Sequence, residues 1–265
     1  MRHGACYSCG VSAFEVITVH IPTYKKYNNA DCAVIFIHGF MGSPNQFTDL
    51  AEAVYNIGCT YMSVLLPGHG GGTDEFVRFG TLDWQRHVQS EIDKIKHDYK
   101  KIFLVGHSMG GLLALNASLV KDNNISGVVL ISTPLKTYLL NPKSLLRKLR
   151  LLLLPKNNEI KSAYIKSNSV AAKKFWHFPL AVKPVMNFYR LVRQTNKRLP
   201  EVVVPVCMFH SRNDETTSYK SAGILYERLC SAPKTAFSLD KSWHAFYVED
   251  EREIIKNKLI EFIVR

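Results

Sequence analysis

Five apolar runs alternate with stretches of helical spacing, and this alternation limits the fold of the chain more than any other feature. The runs are AVIFIHG (33–39), YMSVLL at the head of YMSVLLPGHGGG (61–72), KIFLVGH (101–107), GVVLIST (127–133) and VPVCMFHS (204–211). A strand that is apolar at nearly every position is buried on both faces, the condition of a parallel sheet covered by helices on either side. Two more strands are expected, FEVITVHI (14–21) and KTAFSLD (234–240). PNQFTDLAEAVYNIG (44–58) opens with Pro44 behind Ser43 and closes on Gly58, the start and stop signals of a helix. Residues 82–99 place Trp84, Val88, Ile92 and Ile95 at helical spacing. Further helices are expected after Ser108, near 218–230 and over 249–264. The predicted fold is α/β, a mainly parallel sheet flanked by helices. A chain of 265 residues, 46% hydrophobic, has room for one such core and one sizeable insertion.

In sheets of this kind the functional loops gather at the carboxyl ends of the strands. HGFMG, GHGGG and GHSMGG all follow apolar strands, so all three fall on one rim. GHSMG fits G-x-S-x-G between a strand and a helix. There the glycines allow a sharp corner that lifts the serine above the sheet, and the helix N-terminus favours developing negative charge. Ser108 is therefore the candidate nucleophile, and a structural serine in a flexible glycine loop is the alternative.

A serine needs a base, and along the chain the order is nucleophile, acid, histidine. Of ten histidines, three follow Ser108: His177, His210 and His244. His244, in KSWHAF after the penultimate strand, has the right position. His177 lies in the middle of the chain and His210 ends a strand, where a satisfied structural histidine is the better reading. His107 is expected to point away from Ser108 around the corner. The acid that fixes the imidazole tautomer is read as Asp214 in HSRNDETT, with Glu215 and Asp240 as competitors. The oxyanion of an acyl-transfer intermediate needs two backbone donors, and the amides of Met109 and Phe40 are suitably placed.

FIHGFMGSP, LLPGHGGG, Asp83-Trp84, VGHSMGGLLAL, PVCMFHSRNDE and SWH together resemble the α/β-hydrolases, and within them the bacterial carboxylesterase and monoacylglycerol lipase group. The similarity spans roughly residues 33–134 and 203–265. It implies an α/β-hydrolase fold with a Ser108–Asp214–His244 triad, Phe40 and Met109 as the oxyanion hole, and no metal or organic cofactor. It implies hydrolysis of carboxylic esters with short- to medium-chain acyl groups, or of monoacylglycerols, through an acyl-enzyme. A thioesterase or acyltransferase would use the same residues, and a non-catalytic ligand-binding receptor could keep the same fold. Trp243 departs from the pattern, which usually has glycine before the histidine.

The resemblance also divides the chain into a core, 1–134 and 201–265, and an inserted helical lid, 135–200. That middle segment carries 15 Lys and Arg against a single acid, Glu159, whereas the remainder holds 19 bases against 21 acids, so the net charge of +12 is concentrated there. SLLRKLRLLLLPK (144–156) and FWHFPLAVKPVMNFYRLV (175–192) have leucine and aromatic faces suited to covering an acyl pocket. The basic face suggests transient contact with anionic lipid surfaces. No helix-turn-helix, zinc-finger or RNA-binding signature accompanies the charge, which argues against nucleic acid. His3, Cys6 and Cys9 form H-x2-C-x2-C, but a structural zinc takes four ligands and no second pair is near, so the segment reads as a mobile tail. The six scattered cysteines and the lack of a signal-like or membrane-spanning apolar run predict a cytoplasmic protein in a reducing compartment.

Overall fold

The computed structural model of the chain describes residues 19–138, 153–155, 157–170 and 182–265. Seven strands form one sheet: β1 (Thr23–Lys25), β2 (Cys32–Ile37), β3 (Thr60–Val64), β4 (Lys101–His107), β5 (Ile125–Ile131), β6 (Val206–Ser211) and β7 (Lys234–Leu239). Their order is β1-β3-β2-β4-β5-β6-β7, with every neighbouring pair parallel except β1 and β3.

The apolar runs are apolar throughout because successive side chains enter different cores. Ile35, Ile37, Leu104, Val128, Leu130 and Met208 point into one core. Val34, Phe36, Val105, Val129, Ile131 and Phe209, interleaved with them, point into the other. The first core is closed by α3 (Thr81–Asp93), α4 (Met109–Ser118) and α6 (Val182–Arg198), the second by α1 (Thr48–Asn56) and α8 (Glu249–Val264). Trp84, Val88 and Ile92 of α3 are all buried, as their spacing predicts, and Ile95 follows in a turn where the helix has already ended. Burying a side chain of this size contributes about 1.5–3 kcal/mol, so each such stripe fixes its helix firmly. Residues Met109 to Ala117 of α4 are buried on every side, which explains why that helix shows no polar face in the sequence.

The helix expected over 44–58 starts as a 3-10 turn, Pro44–Phe47, because the Ser43 hydroxyl caps Asn45 N–H (3.2 Å), and continues as α1. Gly58, at φ +87°, ends it. The first strand differs from expectation. Residues 14–18 of the predicted strand lie outside the described residues, 19–21 are not strand, and β1 begins at Thr23. Pro22, which has no N–H to give a neighbouring strand, stands directly before β1. Two short helices were not read from the sequence, α2 (Thr73–Phe76) after the GHGGG loop and α5 (Glu159–Ser167). α7 (Lys220–Arg228) matches expectation, and α6 covers the second half of the predicted 175–192 segment and runs on to Arg198. The leucine stripe of 144–156 lies outside the described residues apart from 153–155, and residues 175–181, His177 among them, lie outside as well. The same is true of His3, Cys6 and Cys9. Among the described residues, no helix is long and apolar enough to cross a membrane.

Candidate active site

The corner at the end of β4 is built by close approach. A Cβ on Gly106 would meet backbone atoms of Gly110 at 2.4 Å, and one on Gly110 would meet the Ile37 carbonyl oxygen at 1.9 Å. Only glycine lets α4 pass this close to β4 and β2. Between them Ser108 sits at φ 52° and ψ −120°, a backbone conformation that non-glycine residues rarely adopt and that must be held by its surroundings. Its N–H donates to the Ile131 carbonyl (2.8 Å), which ties the corner to β5.

Ser108, Asp214 and His244 come together at this rim. His244 Nε2 lies 3.1 Å from Ser108 Oγ, and His244 Nδ1 lies 2.8 Å from Asp214 Oδ2. Asp214 is buried, and its other oxygen accepts the main-chain N–H groups of Thr216 (2.8 Å) and Thr217 (2.7 Å). Burial pushes its pKa up, but the charge and hydrogen bond of His244 and the two amides outweigh this, and the net shift is downward. Asp214 therefore stays a carboxylate that fixes the His244 Nδ1–H tautomer.

The competitors fall into other places. Asp240 lies at the surface in an ion pair with Arg212 (3.0 Å). His210 is buried with Nε2 on the Thr133 carbonyl (2.9 Å), and burial lowers its pKa, so it is a neutral structural histidine. Glu215 is buried beside Asp214 but serves the backbone: its Oε2 accepts the His244 main-chain N–H (3.0 Å).

Further supports hold the loop that carries His244. His107 donates from Nε2 to the His244 carbonyl (2.8 Å), to which Tyr247 Oη also donates (3.2 Å). Burial first, then the neighbouring His244 charge, depress the His107 pKa to about 3, so the ring is neutral. Glu251, from the first turn of α8, accepts N–H groups of Asp240 (2.6 Å), Lys241 (2.9 Å) and Ser242 (2.8 Å). None of these supports was read from the sequence, since each acts on backbone atoms and carries no spacing signature.

The two residues expected to give the oxyanion donors stand on the loops that adjoin the serine. Met109 opens α4, and Phe40 follows Gly39, where a Cβ would lie 3.0 Å from Ser108 Cβ. The Phe40 ring packs against Phe76, Trp84 and Phe188, with centroids 5.1, 6.1 and 5.5 Å away. Among the described residues, no group of three or more His, Cys, Asp or Glu side chains is arranged to hold a metal ion.

A family model described as serine aminopeptidase, S33, matches residues 28–251. The chain belongs to this family, in the esterase and lipase group of α/β-hydrolases. Among its curated relatives, the thermostable monoacylglycerol lipase of Bacillus sp. (strain H-257) is 26% identical over 95% of this chain and 97% of its own. The carboxylesterase of Bacillus subtilis (strain 168) is 23% identical over 94% and 98%, and human monoglyceride lipase 26% over 85% and 80%. Solved structures show the same fold. The monoacylglycerol lipase of Paleococcus ferrophilus superposes with a TM-score of 0.70 at 20% identity, covering 92% of this chain and 98% of its own. A structure reported for the metagenome-derived lipolytic enzymes LipS and LipT reaches 0.73 at 21% identity with the same coverage. In this family member the residue before the histidine, Trp243, donates its N–H to the Phe246 carbonyl (2.7 Å) and closes the turn that presents His244.

Proposed function

We propose that this protein hydrolyses carboxylic esters of short- to medium-chain acyl groups, or monoacylglycerols, with Ser108 as nucleophile. The observation that carries the reading is the unbroken Ser108–His244–Asp214 chain, at 3.1 and 2.8 Å, on a strained corner. His244 Nε2 takes the hydroxyl proton as Ser108 Oγ attacks the ester carbonyl. The Phe40 and Met109 amides receive the oxyanion, and Asp214 holds the imidazolium that forms. His244 then gives its proton to the departing alcohol oxygen, leaving an acyl-serine. Water, deprotonated by the same imidazole, attacks the acyl carbon, and the imidazolium gives that proton to Ser108 Oγ as the bond to the serine breaks and the acid leaves. The names of the lipase and esterase relatives support esters as the substrate class.

In this reading residues 135–200 are a lid inserted between β5 and β6. Phe188 of α6 lies on the Phe40 ring, beside the site, and the basic excess of the segment gives it affinity for anionic lipid surfaces where such esters reside.

Labelling with a fluorophosphonate, mapped by peptide mass spectrometry, tests the nucleophile without knowledge of the natural ester. The expected result is one adduct on Ser108, lost in Ser108→Ala together with hydrolysis of p-nitrophenyl butyrate. A folded protein that takes no adduct and hydrolyses no ester in a chain-length panel would return the chain to the class of non-catalytic receptors. Hydrolysis of acyl thioesters alone would make it a thioesterase.

A further inference from the structure

One short segment between β5 and β6 touches both loops that the proposed reaction depends on. Tyr164, in the last turns of α5, donates from its phenol to Glu215 Oε1. The same carboxyl group accepts the Thr216 hydroxyl (3.1 Å) and, through Oε2, the main-chain N–H of His244 (3.0 Å). Glu215 is 1% exposed, so protein groups, these donors among them, and not water define where the carboxyl sits. A phenol on α5 is thus two hydrogen bonds away from the backbone of His244 through Glu215, and it also meets the main chain of Ala245, the next residue.

Four to five residues further on, the same segment grips the opposite side. Asn168 bridges to Gly42, Ser169 N–H donates to the Met41 carbonyl (2.9 Å), and the Ser169 hydroxyl donates to the Gly42 carbonyl. Gln46 Nε2 reaches back to the Ser167 carbonyl (3.1 Å). Met41 follows Phe40 directly and stands at φ 57°, a left-handed conformation that a methionine keeps only when held. It is held by the Gly42 N–H on the Gly39 carbonyl (2.9 Å), which closes the turn, and by the Ser169 amide on the Met41 carbonyl.

We propose that residues 164–169 form a strut setting the separation between the oxyanion loop and the His244 loop, with Tyr164, Glu215 and Ser169 as positioning residues. The inference rests on the assignment of Ser108, His244 and Asp214 above. Its consequence is that the hydrolytic geometry is complete only while α5 is docked. A movement that lifts α5 withdraws support from His244 and from the Phe40–Gly42 backbone at once. None of the three residues touches the reacting atoms, so their loss should appear in kcat more than in KM.

The test is steady-state hydrolysis of p-nitrophenyl butyrate, with the rate of fluorophosphonate labelling, on Tyr164→Phe, Ser169→Ala, Glu215→Ala, Glu215→Gln and Tyr164→Phe/Glu215→Ala. Tyr164→Phe and Ser169→Ala are each expected to lower kcat about tenfold with KM within about twofold, since a misplacement of about 1 Å costs up to about a hundredfold. Glu215→Ala is expected to cost about a hundredfold, and Glu215→Gln, which keeps an acceptor for the His244 N–H, to recover most of it. The double variant should be slower than Glu215→Ala by much less than the effect of Tyr164→Phe alone, because the phenol acts mainly through that carboxyl group and otherwise on the Ala245 main chain. Wild-type kcat in Tyr164→Phe, or effects of Tyr164→Phe and Glu215→Ala that multiply, would overturn the strut. Should Glu215→Ala not fold, Tyr164→Phe and Glu215→Gln still decide the matter. A wild-type protein without an adduct on Ser108 overturns the hydrolase reading itself. A labelled wild type with unaffected variants overturns the strut alone.

Discussion

His107 Nε2 donates to the main-chain carbonyl of His244 at 2.8 Å, so the residue just before the nucleophile supports the residue that is proposed to activate it. The two rings lie 4.9 Å apart, and the neutral state of His107 keeps a second positive charge away from the imidazolium. His107→Phe preserves the ring volume and removes the donor. Its expected effect is a fall of about tenfold in kcat with KM nearly unchanged, because loss of one neutral hydrogen bond costs about 1 kcal/mol and loosens the loop. Steady-state ester hydrolysis measures it, and an unchanged kcat would leave Tyr247 as the sufficient support.

Asp214 and Asp240 were both candidate acids in the sequence, and their environments separate them. Asp214→Asn offers His244 Nδ1 an amide in place of a carboxylate, so the wrong tautomer is stabilised and hydrolysis should fall by about 10⁴-fold. Asp240→Asn touches only an exposed pair with Arg212, of a kind worth at most about 1 kcal/mol, and should leave the rate within about twofold. Kinetics of the two variants on one short-chain ester compare them directly. Equal losses would show that the hydrogen bond at 2.8 Å is not the one that matters.

Four buried histidines make acid stability a further consequence of the site. Burial lowers the pKa of His107 to about 3 and of His69 to about 4, and holds His38 well below, and His210 below, the ordinary value of 6.5. Below pH 6.5 the unfolded chain binds protons that the folded chain refuses, so stability rises with pH across this window and is lost on acidification. His107 and His69 each cost on the order of 2 kcal/mol by pH 4.5, and His38 and His210 add to the loss in the same direction. Asp214, lowered from its ordinary 3.8, adds to the loss only at still lower pH. Urea unfolding at a series of pH values from 7.5 to 4.5 should show the midpoint falling steadily once the pH drops below about 6.5. A flat midpoint would mean that these rings take up protons in the folded protein as readily as in the unfolded chain.

The parts of the molecule that the sequence revealed are those where one residue type answers to one physical demand. Strands β2, β4, β5 and β6 were legible because burial on two faces forbids polar residues at almost every position. The Ser108 corner was legible because Gly106 and Gly110 replace contacts of 2.4 and 1.9 Å that no Cβ tolerates. Asp214 and His244 were legible through chain order and loop position. The supports were not. Glu215, Glu251 and His107 act on backbone groups and Tyr164 on the Glu215 carboxyl, and any residue with a suitable donor or acceptor could stand where they do. Thr23–Lys25 were not read as a strand because TYK shows no apolar alternation, and only their pairing with β3 places them in the sheet. α5 has one buried residue, Ser167, and so left no apolar stripe to read.

Phe188 offers a test of what α6 contributes to substrate choice. Its ring is 7% exposed and lies 5.5 Å from that of Phe40, whose own backbone amide is the proposed oxyanion donor. The aromatic wall formed with Phe76 and Trp84 is therefore continuous with the place where an acyl carbonyl would bind. Truncating a buried phenylalanine to alanine costs about 3–5 kcal/mol where the surroundings cannot collapse, so Phe188→Ala must be assayed well below its melting transition. The vacated volume is expected to admit longer chains. On a p-nitrophenyl ester series the optimum should move towards longer acyl groups, while the rate on the shortest ester stays within about threefold, because a methylene gained or lost in an apolar pocket shifts specificity by about 1–3 kcal/mol. A uniform loss across all chain lengths would instead make Phe188 a packing residue that holds the Phe40 loop, and would place the acyl group elsewhere.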